Sequence, residues 1–567
     1  MFYLALASDY DGTLAEDGIV EDATLAAVEE FKETGRKFIL VTGRELPDLK
    51  RAFPRLDICD VVVAENGALL YLPVTEEEIP VSPPPPPEFV ARLEEKKVSP
   101  LSAGRSIVAT WEPHQDTVLD TIKEMALELE IIFNKGAVMV LPSGVNKATG
   151  LAAALSQLDL SPLNVIGVGD AENDHAFLTA CGLGVAVANA LPAVKKTADL
   201  VTEGARGAGV KELIGLLADE RRIPFPPRHH VLIGGMGDGR QITIPPQSVM
   251  LIAGSSGIGK STLATALTEQ MVEHQFQFLV FDPEGDYDRL ENAVTVGNAH
   301  TAPSKDQVIE LLSETANNFV VNTLSLHLER PAFFADLQSE LASFRARTGR
   351  PHWLIVDEAH HLLPKARDGA SLALSQDMPG MVLITVHPET LSLDALQRVE
   401  IAVALGPQSD QVIGTLCAAV GSNPPEELAA APKNDVLFWR RESADVLVVT
   451  PISPKQVHER HTRKYAEGDL GEERSFYFRG PDGAMNLRAQ NLVIFQQLAK
   501  GVDDATWEYH LRGGHYSQWF RSAVKDEDLA DEAAMIEADR SLTPHESRHL
   551  VTEAIRKRYT APAAALP

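Results

Sequence analysis

Two series of short apolar runs, each alternating with helical patterns, limit most strongly how this chain can fold. In the first series the apolar runs include Phe2–Ala7, Phe38–Thr42 and Val165–Val168. Stretches between the runs, such as Glu21–Glu33 and Lys147–Leu158, have the spacing of amphipathic helices. This alternation predicts an α/β fold class with doubly wound, largely parallel sheets.

A proline-rich break after Ile223 separates the two series, and the residues after Ser453 turn polar, acidic and helical. A hairpin is expected over Val231–Ile244, at the start of the second series. The proline run Pro83–Pro87 opens an insertion in the first series. We predict an α/β domain over 1–222 with a cap inserted at about 75–141, a second α/β domain over 228–452, and a mainly helical region over 453–567.

Charge and cysteine content narrow the classes of function. The chain of 567 residues carries 51 Lys and Arg against 80 Asp and Glu, a net charge of −29. An acidic surface is a poor passive binder of nucleic acid or anionic membranes, so neither is expected as a partner. The three cysteines are far apart and the apolar segment Met1–Ser8 reads as a first strand rather than a signal peptide. We expect a cytoplasmic location and no membrane span.

Two aspartates follow the first apolar run directly, in the segment Asp9-Tyr-Asp11-Gly-Thr. Residues two apart in an extended chain face the same side, at the carboxyl end of the sheet where α/β folds hold ligands. Crowded carboxylates repel each other unless a cation or a proton joins them. A bound Mg²⁺ would let Asp9 attack phosphorus while Asp11 acts as acid and then base.

Further phosphate and metal ligands occur later in the chain. Thr42 and Gly43 end the next strand and offer a hydroxyl and a backbone N–H to a phosphate. Lys147 begins a helix and supplies a positive charge. More polar side chains follow the strand that ends at Gly169, and those expected near the metal or the phosphate are Asp170, Asn173 and Asp174.

This ordered set resembles the haloacid dehalogenase phosphatases, specifically the Cof-like branch with a type IIB cap. The resemblance covers about 1–215 and includes Glu65-Asn-Gly-Ala. It implies Asp9 as nucleophile, Asp11 as acid and base, Thr42 and Lys147 as phosphate ligands, and Mg²⁺ held by Asp9, Asp170, Asp174 and the backbone carbonyl of Asp11. The cap of roughly 65 residues is closer in size to that of archaeal phosphoglycolate phosphatases, and it would close over a small phosphorylated metabolite.

The second series opens with a phosphate-binding loop between an apolar strand and a helix, the context that makes this motif specific. Its glycines let the backbone wrap around phosphate oxygens, and the helix N-terminus adds N–H donors. Lys260 would reach the β- and γ-phosphates of ATP, and Ser261 would hold Mg²⁺. The nucleotide-binding residues are predicted to be Gly254, Gly257, Gly259, Lys260, Ser261 and Thr262.

An acidic pair ends a later apolar strand, Trp353-Leu-Ile-Val-Asp357-Glu358. Asp357 fits the partner of the Mg²⁺ ion, and Glu358 is placed to polarise an attacking water. Water activation suits ATP hydrolysis better than phosphoryl transfer to a substrate.

The second domain resembles the HerA-like and type IV secretion ATPases of the FtsK–HerA group. Phe281-Asp-Pro-Glu-Gly after the second strand supports the resemblance. His387 stands where the group commonly has Gln, and the group's N-terminal β-barrel is not recognisable here. Members usually form hexamers that pump DNA or protein, so the resemblance implies a homo-oligomer.

The sequence thus predicts a Mg²⁺-dependent phosphatase for a small phosphometabolite, a sugar phosphate or a phosphoglycolate-like acid. A domain that binds and hydrolyses ATP is fused to it and could regulate it. Two alternatives stay open. One is an ATP-driven nucleic-acid motor with an end-processing phosphatase, and the other is a non-enzymatic scaffold whose assembly ATP controls.

Overall fold

The computed structural model of the chain describes residues 2–134, 136–218, 223, 225–288, 290–314, 317–365, 379–422, 428–443, 445–455, 470, 474–481, 483, 485–524 and 526–559. The expected domain boundary at residue 222 lies outside these ranges. So do most of residues 453–473, at the start of the expected C-terminal region, and residues 560–567.

The first 218 residues form a core sheet, a smaller cap sheet and the helices that cover them. The strands are β1 (Ala5–Asp9), β2 (Lys37–Val41), β3 (Val61–Ala64), β4 (Leu69–Leu72), β5 (Glu77–Pro80), β6 (Ser102–Ala103), β7 (Val108–Trp111), β8 (Leu129–Asn134), β9 (Ala137–Pro142), β10 (Val165–Gly169), β11 (Leu183–Ala186) and β12 (Leu200–Val201). The helices are α1 (Asp22–Glu33), α2 (Leu46–Ala52), α3 (Pro87–Glu95), α4 (Gln115–Glu124), α5 (Lys147–Leu158), α6 (His175–Ala180), α7 (Pro192–Thr197) and α8 (Arg206–Leu217).

The core sheet has the strand order β12-β11-β10-β1-β2-β3-β4-β5 and is parallel from β12 to β3. Its central strands are buried on both sides, which explains their continuous apolar runs. Strand β5 falls in the stretch assigned to the insertion, yet it pairs with β4 in the core sheet. The antiparallel cap sheet, of order β6-β7-β9-β8, therefore begins only at Ser102.

The next unit is a mixed sheet with helices on both faces. Its elements are β13 (Val231–Gly235), β14 (Gln241–Ile244), β15 (Val249–Ala253), α9 (Lys260–Glu273), β16 (Phe278–Asp282), β17 (Ala293–Val296), α10 (Lys305–Glu314), β18 (Asn318–Asn322), α11 (Arg330–Thr348), β19 (Trp353–Val356), β20 (Met381–Thr385), α12 (Leu393–Arg398), β21 (Ile401–Leu405), α13 (Ser409–Val420), β22 (Val436–Arg440) and β23 (Val446–Pro451).

The strand order in this sheet is β14-β13-β23-β22-β21-β15-β20-β19-β16-β18-β17. Strands β21 to β17 are parallel, and the expected hairpin is the antiparallel pair β13–β14 at one edge. Strand β20 lies between β15, which leads to the phosphate-binding loop, and β19, which leads to Asp357. Since the three strands are parallel, the loop and Asp357 lie at the same edge of the sheet.

The two large sheets meet at the ends where their strands begin. The side-chain amide of Asn164, just before β10, donates to the carbonyl of Phe2 at 2.9 Å, and its oxygen lies 3.2 Å from Nε2 of His352. His352 precedes β19, and its Nδ1 accepts a hydrogen bond of 2.9 Å from the backbone N–H of Gln277, which precedes β16. A proton on Nε2 satisfies both contacts of the ring. The catalytic candidates follow these strands, so the two sites lie at edges that face away from the interface.

Burial and the nearby guanidinium groups of Arg345 and Arg350 lower the pKa of His352 to about 3. The ring is therefore neutral at ordinary pH. An ion pair between Arg350 and Asp159 closes the same interface at its rim.

The C-terminal region is mainly helical, as expected, with one small hairpin. Its elements are β24 (Phe476–Phe478), β25 (Leu487–Ala489), α14 (Leu492–Gly501), α15 (Asp504–Arg512), α16 (His515–Trp519), α17 (Glu527–Ala538) and α18 (Pro544–Tyr559). Seven aromatic side chains of this region pack into its own core, namely Phe476, Phe478, Phe495, Trp507, Tyr516, Trp519 and Phe520. Among the helices of the described ranges, none has the length and apolar character needed to cross a bilayer.

Candidate active sites

The carboxyl ends of β1 and β10 bring three predicted carboxylates together. Asp9 is the last residue of β1, Asp170 follows β10, and Asp174 lies in the turn after it. One ligand oxygen of each lies within 4.8 Å of the others, and all three residues are at most 5% exposed. The Nζ atom of Lys147 lies 2.5 Å from Oδ1 of Asp9 and 2.5 Å from Oδ1 of Asp174.

Local sequence explains why Lys147 points into this cluster. It is the first residue of α5, and Asn146 before it caps the helix. The Asn146 side chain accepts from the N–H groups of Ala148 and Thr149, and the Thr149 hydroxyl accepts from the Asn146 N–H at 2.9 Å. This reciprocal cap fixes where the helix begins. The hydrogen bonds among Asn146, Ala148 and Thr149 therefore fix the position of Lys147 at the start of the helix.

The electrostatics of the cluster call for a cation. With all three carboxylates ionised, the single ammonium would leave two unbalanced negative charges in a buried site. Burial and the charge of Asp174 raise the pKa of Asp9, and the attraction of Lys147 only partly offsets them. Burial opposes the charge of Lys147, but Asp174 and Asp9 more than offset it and raise its pKa. Mg²⁺ fits this site because it prefers carboxylate oxygens as ligands and its charge would neutralise the excess negative charge.

Asp11 is not part of this cluster, although the two-residue spacing predicted that its carboxylate would face the same way as that of Asp9. Asp9 ends the strand and the chain turns directly after it, with Gly12 at a φ of 89°, so the alternation of the strand does not extend to Asp11. A Cβ at Gly12 would lie 2.6 Å from an Asp170 oxygen, so only glycine fits there. The Asp11 carboxylate instead accepts two hydrogen bonds of 2.7 Å from Arg44.

The expected phosphate ligands border the same cluster. Thr42 and Gly43 follow β2, one step beyond Val41, which pairs with Asp9. The Thr42 hydroxyl accepts from the backbone N–H of Arg44 at 3.1 Å. Nδ2 of Asn173 donates to Oδ1 of Asn66 at 3.0 Å. The other amide atoms of this pair, Oδ1 of Asn173 and Nδ2 of Asn66, are buried and have no hydrogen-bond partner among the described residues, as expected for groups that meet a ligand.

The phosphate-binding loop lies where the sequence predicted, between β15 and α9. Gly257 and Gly259 have φ values of 78° and 101°, the left-handed region that favours glycine. Ser261 and Thr262 stand in the first turn of α9. Nζ of Lys260 donates to the carbonyls of Gly254 and Ser255 at 2.9 and 2.8 Å. The ammonium is therefore held by its own loop.

The acidic pair lies at the end of β19, with Asp357 2% exposed. Burial and then the charges of Glu358, Asp282 and Asp286 raise the pKa of Asp357 well above its usual range. Glu358 has a φ of 40°, the left-handed conformation that a non-glycine residue rarely adopts. A divalent cation would offset the negative charge that these acidic surroundings concentrate around Asp357.

Two neighbours of the candidate catalytic groups escaped the sequence-based assignment. Arg44 holds Asp11, and its position directly after Thr42-Gly43 is the signal that could have revealed it. Nδ1 of His360 lies 3.4 Å from a Glu358 oxygen and 3.1 Å from the Thr385 hydroxyl. No local pattern links His360, in the turn after β19, to Thr385 at the end of β20.

Comparison with known proteins matches both parts of the chain. Residues 6–97 and 108–214 match the family model of haloacid dehalogenase-like hydrolases. Residues 247–344 match the model of the central domain of the helicase HerA.

Individual relatives match the first part. Phosphoglycolate phosphatase 2 of Saccharolobus solfataricus is 32% identical over 222 residues, which are 37% of this chain and 91% of the relative. The phosphoglycolate phosphatase of Methanothermobacter thermautotrophicus is 30% identical over 221 residues, 37% of this chain and 96% of the relative. A haloacid dehalogenase-like hydrolase from Bacteroides thetaiotaomicron, known from its crystal structure, is 19% identical and covers 38% of this chain and 99% of its own, with a TM-score of 0.34.

Fold and comparisons together define a phosphatase of the α/β class joined to a P-loop ATPase domain. The chain belongs to the haloacid dehalogenase-like hydrolase family, and its central part is similar to HerA. Both resemblances drawn from the sequence motifs, and the α/β fold class, are confirmed.

Proposed function

We propose that the N-terminal domain hydrolyses a small phosphomonoester by way of a phosphoryl group carried on Asp9. The observation that supports this most strongly is the buried cluster of Asp9, Asp170 and Asp174 around Lys147, at the carboxyl end of a parallel sheet. Burying such a cluster is costly unless a further cation balances its negative charge. The names of the relatives, phosphoglycolate phosphatases, agree with a small substrate.

Mg²⁺ fits this site, and when bound it would neutralise the carboxylates and the incoming phosphate together. Asp9 and Asp170 would hold it. Both oxygens of Asp174 are already engaged, one by Lys147 and the other by the N–H groups of Asp170 and Ala171 at 2.8 and 2.9 Å. Asp174 therefore orients the turn and the lysine, and contributes to the metal site mainly through its charge.

In the proposed reaction the side chains take the roles expected from the sequence, and Asp11 must turn from Arg44 towards the cluster. An oxygen of Asp9 attacks phosphorus, the bond from phosphorus to the ester oxygen breaks, and the leaving alkoxide takes a proton from Asp11. Asp11 then removes a proton from water, which attacks phosphorus and restores the Asp9 carboxylate with release of phosphate. Lys147, Thr42 and Asn173 bind the phosphoryl oxygens, and Arg44 holds Asp11 between the two steps.

We propose ATP hydrolysis for the central domain. Lys260 would leave the carbonyls of its own loop to bind the β- and γ-phosphates, and Ser261 and Asp357 would hold the Mg²⁺ of the nucleotide. Glu358 would polarise the attacking water. The interface of Asn164 with His352 joins the strands that lead to the two sites, and it supports our further proposal that ATP binding changes phosphatase activity.

A panel of small phosphomonoesters, with Mg²⁺ or with a chelator, tests the phosphatase. Asp9→Asn removes the nucleophile and should lower hydrolysis by at least about 10³-fold. Asp120→Asn, an exposed position on α4, is the matched control and should leave the rate unchanged. Hydrolysis that persists in Asp9→Asn would contradict the proposal. Addition of ATP should alter the phosphatase rate of the wild type but not that of Lys260→Ala.

The similarity of residues 247–344 to the helicase HerA favours one second candidate, an ATP-driven motor on nucleic acid. The net charge of −29 opposes it. Stimulation of the ATPase by DNA or RNA, together with hydrolysis of terminal phosphates of polynucleotides, would establish this candidate. A homo-oligomer, as in the HerA group, stays a prediction for either function.

A further inference from the structure

The turn after β19 places a histidine between Glu358 and the neighbouring strand. Ala359–His361 form a single 3₁₀ turn, and the backbone N–H of His361 donates to the carbonyl of Glu358 at 2.8 Å. Within this turn, Nδ1 of His360 lies 3.4 Å from an oxygen of Glu358 and 3.1 Å from the hydroxyl of Thr385. His360 therefore connects the end of β19 with the end of β20.

Glu358 needs such a contact to keep its orientation. Its φ of 40° lies in the left-handed region, where a residue with a Cβ persists only when the surrounding contacts fix it. Its side chain is only 13% exposed, so protein groups rather than solvent decide where the carboxylate points. A group that polarises an attacking water must be aligned closely with that water, because small displacements slow the reaction strongly.

Thr385 is held firmly enough to serve as the anchor of this contact. It is the last residue of β20 and is fully buried, and its hydroxyl oxygen accepts from the backbone N–H of His387 at 3.0 Å. In the sheet it pairs with Ala253, the residue before the phosphate-binding loop. Groups fixed on strands are placed more precisely than groups on loops. An anchor at Thr385 therefore aligns Glu358 with the phosphate-binding loop and not only with its own turn.

The position of the ring proton decides whether the contact is attractive. Water activation requires an ionised Glu358, and an ionised carboxylate only accepts hydrogen bonds. Nδ1 of His360 must then carry a hydrogen, an assignment that follows from the partners around the ring. The same N–H also faces the hydroxyl oxygen of Thr385, which is a second acceptor. One N–H group can thus attract the glutamate and tie it to β20.

Packing is the other role that this ring could have. The centroid of the His360 ring lies 4.2 Å from that of His361 and 5.6 Å from that of His387. A ring that only packs needs its flat shape but no hydrogen on Nδ1. A ring that orients Glu358 needs the N–H group. The two roles therefore differ in what a replacement side chain must keep.

We propose that His360 is a positioning residue for ATP hydrolysis, which orients the carboxylate of Glu358 towards the attacking water by anchoring it to Thr385. In this role His360 acts through Glu358 and not on the nucleotide. The inference rests on the proposed ATPase function of the central domain. It adds to that site a residue that lies outside the phosphate-binding loop and the acidic pair.

The test measures kcat and KM for ATP in the full-length wild type, His360→Ala, His360→Phe and His360→Asn. Loss of the N–H group should lower kcat at least about tenfold in His360→Ala and His360→Phe, whereas KM should stay within about twofold because the phosphate-binding loop is intact. Asparagine keeps a side-chain N–H close to the position of Nδ1 and should recover most of kcat. His300→Ala, at an exposed position after β17, is the control and should match wild type. Recovery of kcat by phenylalanine instead of asparagine would indicate packing and overturn the proposal.

Combined variants test the route through which the histidine acts. Thr385→Val keeps the shape of the side chain without its hydroxyl, and it should lower kcat in the same way and add little to His360→Ala. In Glu358→Gln, where no carboxylate is left to orient, His360→Ala should lower kcat no further. A full additional loss in that background would overturn the proposal, as would an unchanged kcat in His360→Ala. If ATP hydrolysis by the wild type does not depend on Lys260, the ATPase proposal itself fails, which is a different result.

Discussion

The two candidate phosphate sites of this molecule use a lysine in contrasting ways. In the N-terminal domain, Lys147 is 1% exposed and lies 2.5 Å from each of two buried carboxylates. In the central domain, Lys260 is 7% exposed and donates to carbonyls of its own loop. The first lysine lies between two buried carboxylates, whereas the second donates hydrogen bonds to neutral carbonyls that a nucleotide can replace.

The difference has an energetic meaning. A buried carboxylate that loses its only cation is left uncompensated, which is among the most destabilising changes a core can suffer. A lysine whose partners are loop carbonyls leaves behind neutral groups when it is removed. We therefore expect removal of the lysine in the phosphatase site to lower the stability of the fold. Removal of the lysine in the ATPase site should mainly weaken nucleotide binding.

The largest expected effect of this comparison is a loss of ATP hydrolysis that leaves phosphatase activity unchanged. Glu358→Gln removes the group that polarises water and should lower ATP hydrolysis by about 10²–10³-fold, with nucleotide binding retained. Phosphatase activity without ATP should not change, since the two sites face away from their interface. Steady-state assays of both activities check this, with Glu310→Gln on α10 as a control of the same chemistry at an exposed position. A parallel fall in both activities would show that the sites are not separate.

The next effect concerns stability in the phosphatase domain. Lys147→Met leaves Asp9 and Asp174 buried without their ammonium and should reduce the free energy of unfolding by about 3–5 kcal/mol. Chemical denaturation followed by fluorescence measures it. Mg²⁺ should restore part of the loss, because a divalent cation replaces the missing charge. An unfolding free energy within about 1 kcal/mol of wild type, with or without Mg²⁺, would refute the view that this lysine holds the site together.

The corresponding change in the central domain should be milder. Lys260→Met removes hydrogen bonds to two carbonyls of an accessible loop and should change the free energy of unfolding by only about 1 kcal/mol. ATP binding, measured by isothermal titration calorimetry, should nonetheless weaken at least about tenfold. A loss of stability as large as that of Lys147→Met would contradict the expectation that Lys260 contributes little to the stability of the fold.

Local patterns were enough to predict what lies within one element or at its end. Helix α5 has the bounds that periodicity indicated, and the strand expected at Val165–Val168 ends one residue later. The chain turn at Gly12 already shows the limit, because a two-residue spacing could not foresee that Asp11 would bind Arg44. Contacts between residues far apart in the sequence produce no periodic pattern from which they could be predicted. The contact of Asn164 with His352 spans 188 residues, and the pairing of β8 with β9 in the cap depends on strand register, which a single sequence does not specify.

The last expected effect appears only in mild acid and involves the contact of His352 with Asn164. The pKa of His352 is lowered to about 3 in the folded chain, whereas an unfolded histidine takes up its proton near pH 6.5. Above pH 6.5 the ring of His352 is neutral in both the folded and the unfolded chain, and its contact contributes fully to stability. As the pH falls from about 6.5 towards 3, the unfolded state gains a proton that the folded state refuses, so stability is lost.

Between pH 7.5 and 5, wild type should therefore lose up to about 2 kcal/mol more stability than His352→Gln, which has no proton to gain. Thermal or urea unfolding at the two pH values measures the difference, with His114→Gln in the cap as the control that should behave like wild type. Equal acid sensitivity of wild type and His352→Gln would mean that this buried ring does not respond to pH at the contact between the two sheets. The two sites would then share a scaffold whose interface is insensitive to mild acid, and the contrast between them would rest on their lysines alone.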